Sequence, residues 1–201
     1  VLADKNLIPS NVSRKIIHIG TGPLFVLCWL LFPEHHLSKW LAASVPFLIV
    51  VQVLLVGTGL IKDRTSVKSM ARNGLGSELL KGPLFYGMIF VLLTILFWKT
   101  IHAVFALMIL CGGDGTADLI GSRISSPKLP WSKNKTIAGS FSMFIGSILI
   151  TIIVTMILRL GFLNFSIQAL LFPLLLISFI ATVIESITPS DYDNLTVPIS
   201  S

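Results

Sequence analysis

Six apolar runs, each close to the length that crosses a bilayer, decide what this 201-residue chain can become. A helix needs about 20 mostly apolar residues to span the hydrocarbon core. Runs of that kind occupy Ile16 to Phe32, Trp40 to Thr58, Gly82 to Trp98, His102 to Gly121, Ile137 to Leu160 and Phe165 to Ile187. The fourth is the weakest, because its second half carries GGDGTAD. Backbone polar groups have no water to bond inside lipid, so runs of this length become helices. The expected fold is all-α: a polytopic integral membrane protein with about six transmembrane helices, in a single membrane-embedded domain over residues 1–201. Composition agrees, with 54% hydrophobic and 12% charged residues and a mean hydropathy of +0.89. A soluble fold of this size has no core large enough for that apolar surface. A disordered chain, a disulfide scaffold and an ordinary cytosolic enzyme are excluded. Cys28 and Cys111 both sit inside apolar runs and read as packing residues. No leader peptide is visible, and a first residue of Val reads as a trimmed chain. No internal repeat stands out.

Lys and Arg set the orientation. With six spans, the segments on one side are the N-terminus (Lys5, Arg14, Lys15), the second connection (Lys62, Arg64, Lys68, Arg72, Lys81) and the fourth (Arg123, Lys128, Lys133, Lys135). The opposite side keeps Lys39, Lys99 and Arg159, a split of twelve to three. That is a positive-inside signal, and the net charge of +6 reads as topology, not as affinity for nucleic acid. The rich side faces the cytosol, or the stroma in a plastid, and the tail from Thr188 is expected there too. Four Asn-x-Ser/Thr sequons, at Asn11, Asn134, Asn164 and Asn194, read as accidents of composition.

Nearly every unusual polar residue falls at the rich-side end of a span. The sharpest group is Cys111-Gly112-Gly113-Asp114-Gly115-Thr116-Ala117-Asp118. Asp114 and Asp118 are four apart and share a helix face. Two carboxylates so placed repel unless a cation or protons intervene, and ionisable groups at membrane depth are functional by default. Gly112, Gly113 and Gly115 leave room for backbone or phosphate oxygens. The chemistry indicated is a divalent metal, Mg²⁺ or Mn²⁺, held by one or both of the carboxylates of Asp114 and Asp118 and completed by substrate phosphates. A helix cap at the interface is the bland alternative. Next comes Lys133-Asn134-Lys135-Thr136-Ile137-Ala138-Gly139-Ser140, where lysines and small residues open a helix suited to anions. A purely topogenic basic loop is equally consistent with it. Glu185, Asp191 and Asp193 put three carboxylates in nine residues. They either pair with the basic loops or hold a metal or an incoming hydroxyl. His18 has the chemistry of a general base, and equally of a hydrogen-bonded interface residue.

Together these stretches resemble the polyprenol kinase family, specifically the plant phytol and farnesol kinases. The matching segments are SRKIIHIGTG from Ser13, ELLKGPLFY from Glu78, CGGDGTADLIGSR from Cys111, KLPWSKNKTIAGSFSMF from Lys128, and ATVIES and DNLTVP between Ala181 and Pro198. Five loose motifs in the family's order cover nearly the whole chain. The resemblance implies transfer of phosphate from CTP to a prenyl alcohol in a plastid membrane. It implies catalytic roles for Asp114, Asp118 and Lys135; the candidates to take the hydroxyl proton, read from their own chemistry, are Asp193 and His18. Nucleotide contacts would come from Gly112, Gly113, Gly115, Arg123, Lys133, Gly139 and Ser140. Two departures are visible: Ser122-Arg123 keeps one basic residue where the family shows two, and Tyr192-Asp193-Asn194 stands for Asp-Asp-Asn. Relatives also carry membrane helices before and after the matched region, so the chain reads as a fragment. The rival readings are a cytidylyltransferase joining CTP to a lipid phosphate, and a cation-coupled transporter whose broken helix would be GGDG.

Overall fold

The computed structural model describes residues 10–71, 73–132, 134–189 and 192–201, and of residues 10–14 and 167 only the backbone. The described residues are helical and connecting segments, with no strand; one isolated antiparallel bridge joins Lys128 and Thr136. Helix α1 (Ser10–Leu27) continues as a 3-10 turn (Cys28–Leu31), and α2 (Ser38–Gly57) returns across the bundle. The short α3 (Arg64–Met70) lies in the connection that follows. A 3-10 turn (Gly76–Leu80) leads into α4 (Gly82–Leu96), which opens with Pro83 where its missing N–H costs nothing. Helix α5 (Ile101–Met108), a π-helical segment (Ile109–Asp114) and α6 (Gly115–Gly121) form one rod. Helices α7 (Ile137–Leu158), α8 (Ile167–Ile187) and α9 (Asp193–Ser200) complete the described chain.

Five of these stretches are long and apolar enough to cross a membrane: Ser38–Gly57, Gly76–Leu96, Ile101–Gly121, Ile137–Leu158 and Gln168–Ile187. The first run of the sequence forms α1, whose apolar stretch Lys15–Leu31 is shorter. Ile101–Gly121 is the least apolar of the five and the most enclosed, with 72% of its span buried against 28–44% for the others. The two facts have one cause. A helix surrounded by protein needs no lipid-facing surface, so it can carry glycines and carboxylates that an outer helix cannot. Around it pack Val26 and Trp29 of the α1 rod, Phe90 of α4 and Leu158 of α7, all buried.

The two ends of the bundle differ in chemistry. At one end Trp29 and Trp98 rings lie 5.1 Å apart, and Lys99 donates to the Phe32 carbonyl and to Glu34, each at 2.8 Å. The other end gathers the starts of α1 and α7 and the ends of α6 and α8. Thr136 caps α7 by accepting from the Gly139 amide at 3.1 Å. The segment after Thr188 carries a helix that the six-run reading did not include: α9 turns back into the bundle, with Val197 fully buried against Ile109, Ala117, Met143 and Ala181. Leu, Val and Pro at its centre have no other place to be hidden, and the acidic start hides this apolar continuation in a linear reading.

Candidate active site at the basic end of the bundle

The site begins with a break in helical geometry. The π-helical segment ends on Asp114, and π segments are rare and concentrate at functional sites. Widening the helix leaves carbonyls without their usual donor. Thr116 meets that need, its hydroxyl lying 2.7 Å from the Gly112 carbonyl and 2.9 Å from that of Gly113. The same hydroxyl is 3.0 Å from the Ser142 carbonyl, and so ties the rod to α7.

Asp114 and Asp118 then project from consecutive turns. Each meets a basic residue of α1. His18 Nε2 lies 3.2 Å from Asp114 Oδ2, both side chains being largely enclosed, without the alignment of a hydrogen bond. Lys15 Nζ donates at 2.7 Å to the Asp118 carbonyl and at 2.7 Å to Ser122 Oγ, and lies 3.5 Å from Asp118 Oδ1. Lys15 thus gives the Asp118 carbonyl a second donor beside the Ser122 amide, while half-exposed Asp118 faces outward. Gly115 makes this meeting possible: a Cβ there would lie 2.3 Å from Ile19 and 3.3 Å from the His18 ring.

His18 is fixed by a residue that sequence reasoning left out of the candidate site. The Tyr86 ring lies 4.6 Å from the His18 ring, and its hydroxyl bonds the His18 carbonyl at 3.0 Å. That hydroxyl also meets Thr21 Oγ1 at 2.9 Å and Cys111 Sγ at 3.1 Å. Lys15 and Tyr86 were not among the candidate site residues, and the structure brings both to the site. The signal for them was present in the stretches SRKIIHIGTG and ELLKGPLFY.

Across the same end, the loop between α6 and α7 folds onto α8. Lys135 Nζ lies 2.5 Å from Glu185 Oε1 and also donates to the Glu185 carbonyl. Trp131 Nε1 donates to Ser186 Oγ at 3.2 Å. Of the three acidic residues at the exit of α8, Glu185 therefore pairs with the basic loop, one of the two alternatives left open by the sequence, while Asp191 lies outside the described residues. Glu185 also stands within electrostatic reach of Asp114 and Asp118.

The other candidates fall in several places. Gly112 and Gly113 are buried against Ile150 and Ser147 of α7, where they serve helix approach. Gly139 packs on Gly121 and the Ala117 carbonyl. Ser140 Oγ is buried with no partner among the described residues. Arg123 is exposed just beyond α6. Asp193 is buried at the start of α9 and accepts from the Asn194 amide at 2.9 Å. Asn194 donates to the Gly82 carbonyl at 3.1 Å, fixing this part of the chain to the start of α4. Lys133 lies outside the described residues.

No set of three His, Cys, Asp or Glu side chains converges as a metal cage among the described residues. Mg²⁺ does not require one. It takes one or two carboxylates and fills its remaining positions with water and phosphate oxygens. Asp114 and Asp118 match that donor set.

Known proteins give the same direction. No protein-family model and no solved structure matches the chain. Curated sequences do. The chain is 36% identical to "Probable phytol kinase, chloroplastic" of Triticum aestivum, aligned over all of this chain and 68% of that protein. It is 35% identical to "Phytol kinase 1, chloroplastic" of Arabidopsis thaliana, over all of the chain and 67% of that one. It is also 35% identical to "Farnesol kinase, chloroplastic" of the same plant, over all of the chain and 66% of the relative. With relatives this similar along its whole length, the chain belongs to the phytol and farnesol kinase family.

Proposed function

We propose that this protein is a CTP-dependent kinase that converts a prenyl alcohol to its monophosphate in a plastid membrane, with its site on the stromal side. The observation that carries the reading is the convergence of Asp114, Asp118, Lys135 and His18 at the basic end of an apolar bundle. An isoprenoid alcohol delivers its hydroxyl from the bilayer, while the nucleotide arrives from water. A site at the interface serves both.

Phosphoryl transfer needs placement and charge neutralisation more than covalent chemistry. Asp114 and Asp118 are the residues to hold Mg²⁺ or Mn²⁺; a bound divalent ion offsets charge on the triphosphate. Lys135 supplies a point charge to the phosphates, and exposed Arg123 is placed to add another. His18, beside Asp114, is better positioned than Asp193, buried at the start of α9, to receive the alcohol's proton. The prenyl chain contacts apolar side chains only. Such contacts discriminate by about 1–3 kcal/mol per methylene, so farnesol, geranylgeraniol and phytol are all candidate acceptors.

Purified protein incubated with labelled CTP, Mg²⁺ and this panel of alcohols tests the proposal. Lipid monophosphate and CDP are expected. CDP-lipid and pyrophosphate would instead identify a cytidylyltransferase. The absence of transfer to every alcohol would end the kinase reading.

A further inference from the structure

The lysine expected to meet phosphate is not free to choose its place. Lys135 is almost enclosed, with 12% of its side chain exposed, and its partner Glu185 has 8%. An ammonium has three N–H donors. Two of them go to one residue, the Glu185 carboxylate and the Glu185 carbonyl. The third has no protein partner among the described residues. The loop carrying Lys135 is held to the same turn of α8 by the Trp131 bond to Ser186. Its base is closed by the Lys128 and Thr136 bridge.

We infer that Glu185 is the positioning residue of the nucleotide site, holding Lys135 so that its remaining N–H points to a phosphate. The inference rests on the kinase reading and adds to it a residue from the opposite helix. Two bonds to one residue fix a flexible four-carbon stem in a single direction. Without them the ammonium would sample many rotamers, and each phosphate contact would carry that ordering cost. Glu185 itself touches no substrate in this account. Its negative charge, set near Asp114 and Asp118, would repel a triphosphate if Lys135 did not cover it.

The test uses the whole chain in detergent and two measurements, the KM for CTP and the equilibrium Kd for CTP. Glu185→Gln keeps length and an acceptor oxygen but removes the charge that holds the ammonium. It is expected to raise both nucleotide constants about tenfold, the loss of one charged hydrogen bond. The KM for the alcohol should stay within about twofold. Glu185→Asp keeps the charge but withdraws it by one methylene, and should raise the CTP constants as well. In a Lys135→Ala background, Glu185→Gln should add nothing, because its effect passes through Lys135. Unchanged CTP constants in both variants would overturn the inference. So would equal rises for CTP and alcohol, or additive effects in the double variant. If neither variant can be isolated folded, the pair is structural and the inference falls. A wild-type chain that binds no CTP and transfers no phosphate removes the kinase reading, and the inference with it. An active wild type with an indifferent Glu185 removes the inference alone.

Discussion

Replacing Gly146 by Ala offers a direct measure of how tightly the site depends on helix packing. Gly146 lies on α7 where the π segment passes. A Cβ there would sit 2.1 Å from Thr116 Oγ1 and 3.0 Å from the Gly112 carbonyl. The first of these falls about 1.3 Å short of the separation at which atoms are in ordinary contact. Rotating Thr116 does not solve the clash, because its Cβ, which rotation does not move, would also lie 3.0 Å from the added carbon. Rotation would also strip the hydroxyl from the Gly112 and Gly113 carbonyls. Overpacking of this kind costs about 1–3 kcal/mol, and a buried hydroxyl left unpaired adds about 1–3 kcal/mol. The helices must therefore separate, and Asp114, two residues from Gly112, moves with them. A displacement of about 1 Å in a catalytic group costs about a hundredfold in rate. Gly146→Ala is thus expected to lower thermal stability in detergent and reduce phosphate transfer about a hundredfold. Gly20→Ala on α1 is the control, since nothing lies within 4 Å of its would-be Cβ. A Gly146→Ala protein as stable and active as wild type would show that the rod does not depend on this contact.

Asp114→Asn and Asp118→Asn should fold but lose activity by orders of magnitude, and wild-type activity should stop when a chelator removes Mg²⁺; a thermal-stability scan beside the transfer assay reads both, and active Asn variants would remove the metal assignment. Lys135→Ala should weaken use of CTP, while Lys39→Ala, whose ammonium lies 5.6 Å from the Trp40 ring, should leave CTP kinetics unchanged. Cysteines introduced at Lys62 and Ser132 should label from one side of the membrane, and those at His36 and Asn164 from the other; mixed labelling would break the twelve-to-three orientation. Asp63 caps α3 through the Ser66 side chain and amide, and these bonds hold its carboxyl below the usual carboxylate range. The cap's contribution is therefore present above that range and is lost as pH falls through the lowered value. Asp63→Ala should remove about 1 kcal/mol and flatten the acid limb of the stability profile.

What the sequence determined alone is the part governed by local chemistry. A backbone in lipid must bond to itself, so apolar runs of about 20 residues announce helices whatever surrounds them. The runs from Trp40, Gly82, His102, Ile137 and Phe165 accordingly coincide with helices long enough to cross. The four-residue spacing of Asp114 and Asp118 needs only helix geometry, and it was legible too. Tertiary structure decided everything that depends on two distant segments meeting. Lys15 reaches Asp118 and Ser122 across more than a hundred positions, and Lys135 reaches Glu185 across 50. No period or spacing encodes such pairings. Charge at the end of a span reads first as topology, and only the packing separates a topogenic lysine from one held in a site. The glycines beside Asp114 carry the same lesson. In one dimension they suggest room for a phosphate; in three, Gly115 admits α1 and Gly112 and Gly113 admit α7. Whether an absent side chain makes room for a ligand or for a helix depends on what stands opposite it, and that is set by the fold.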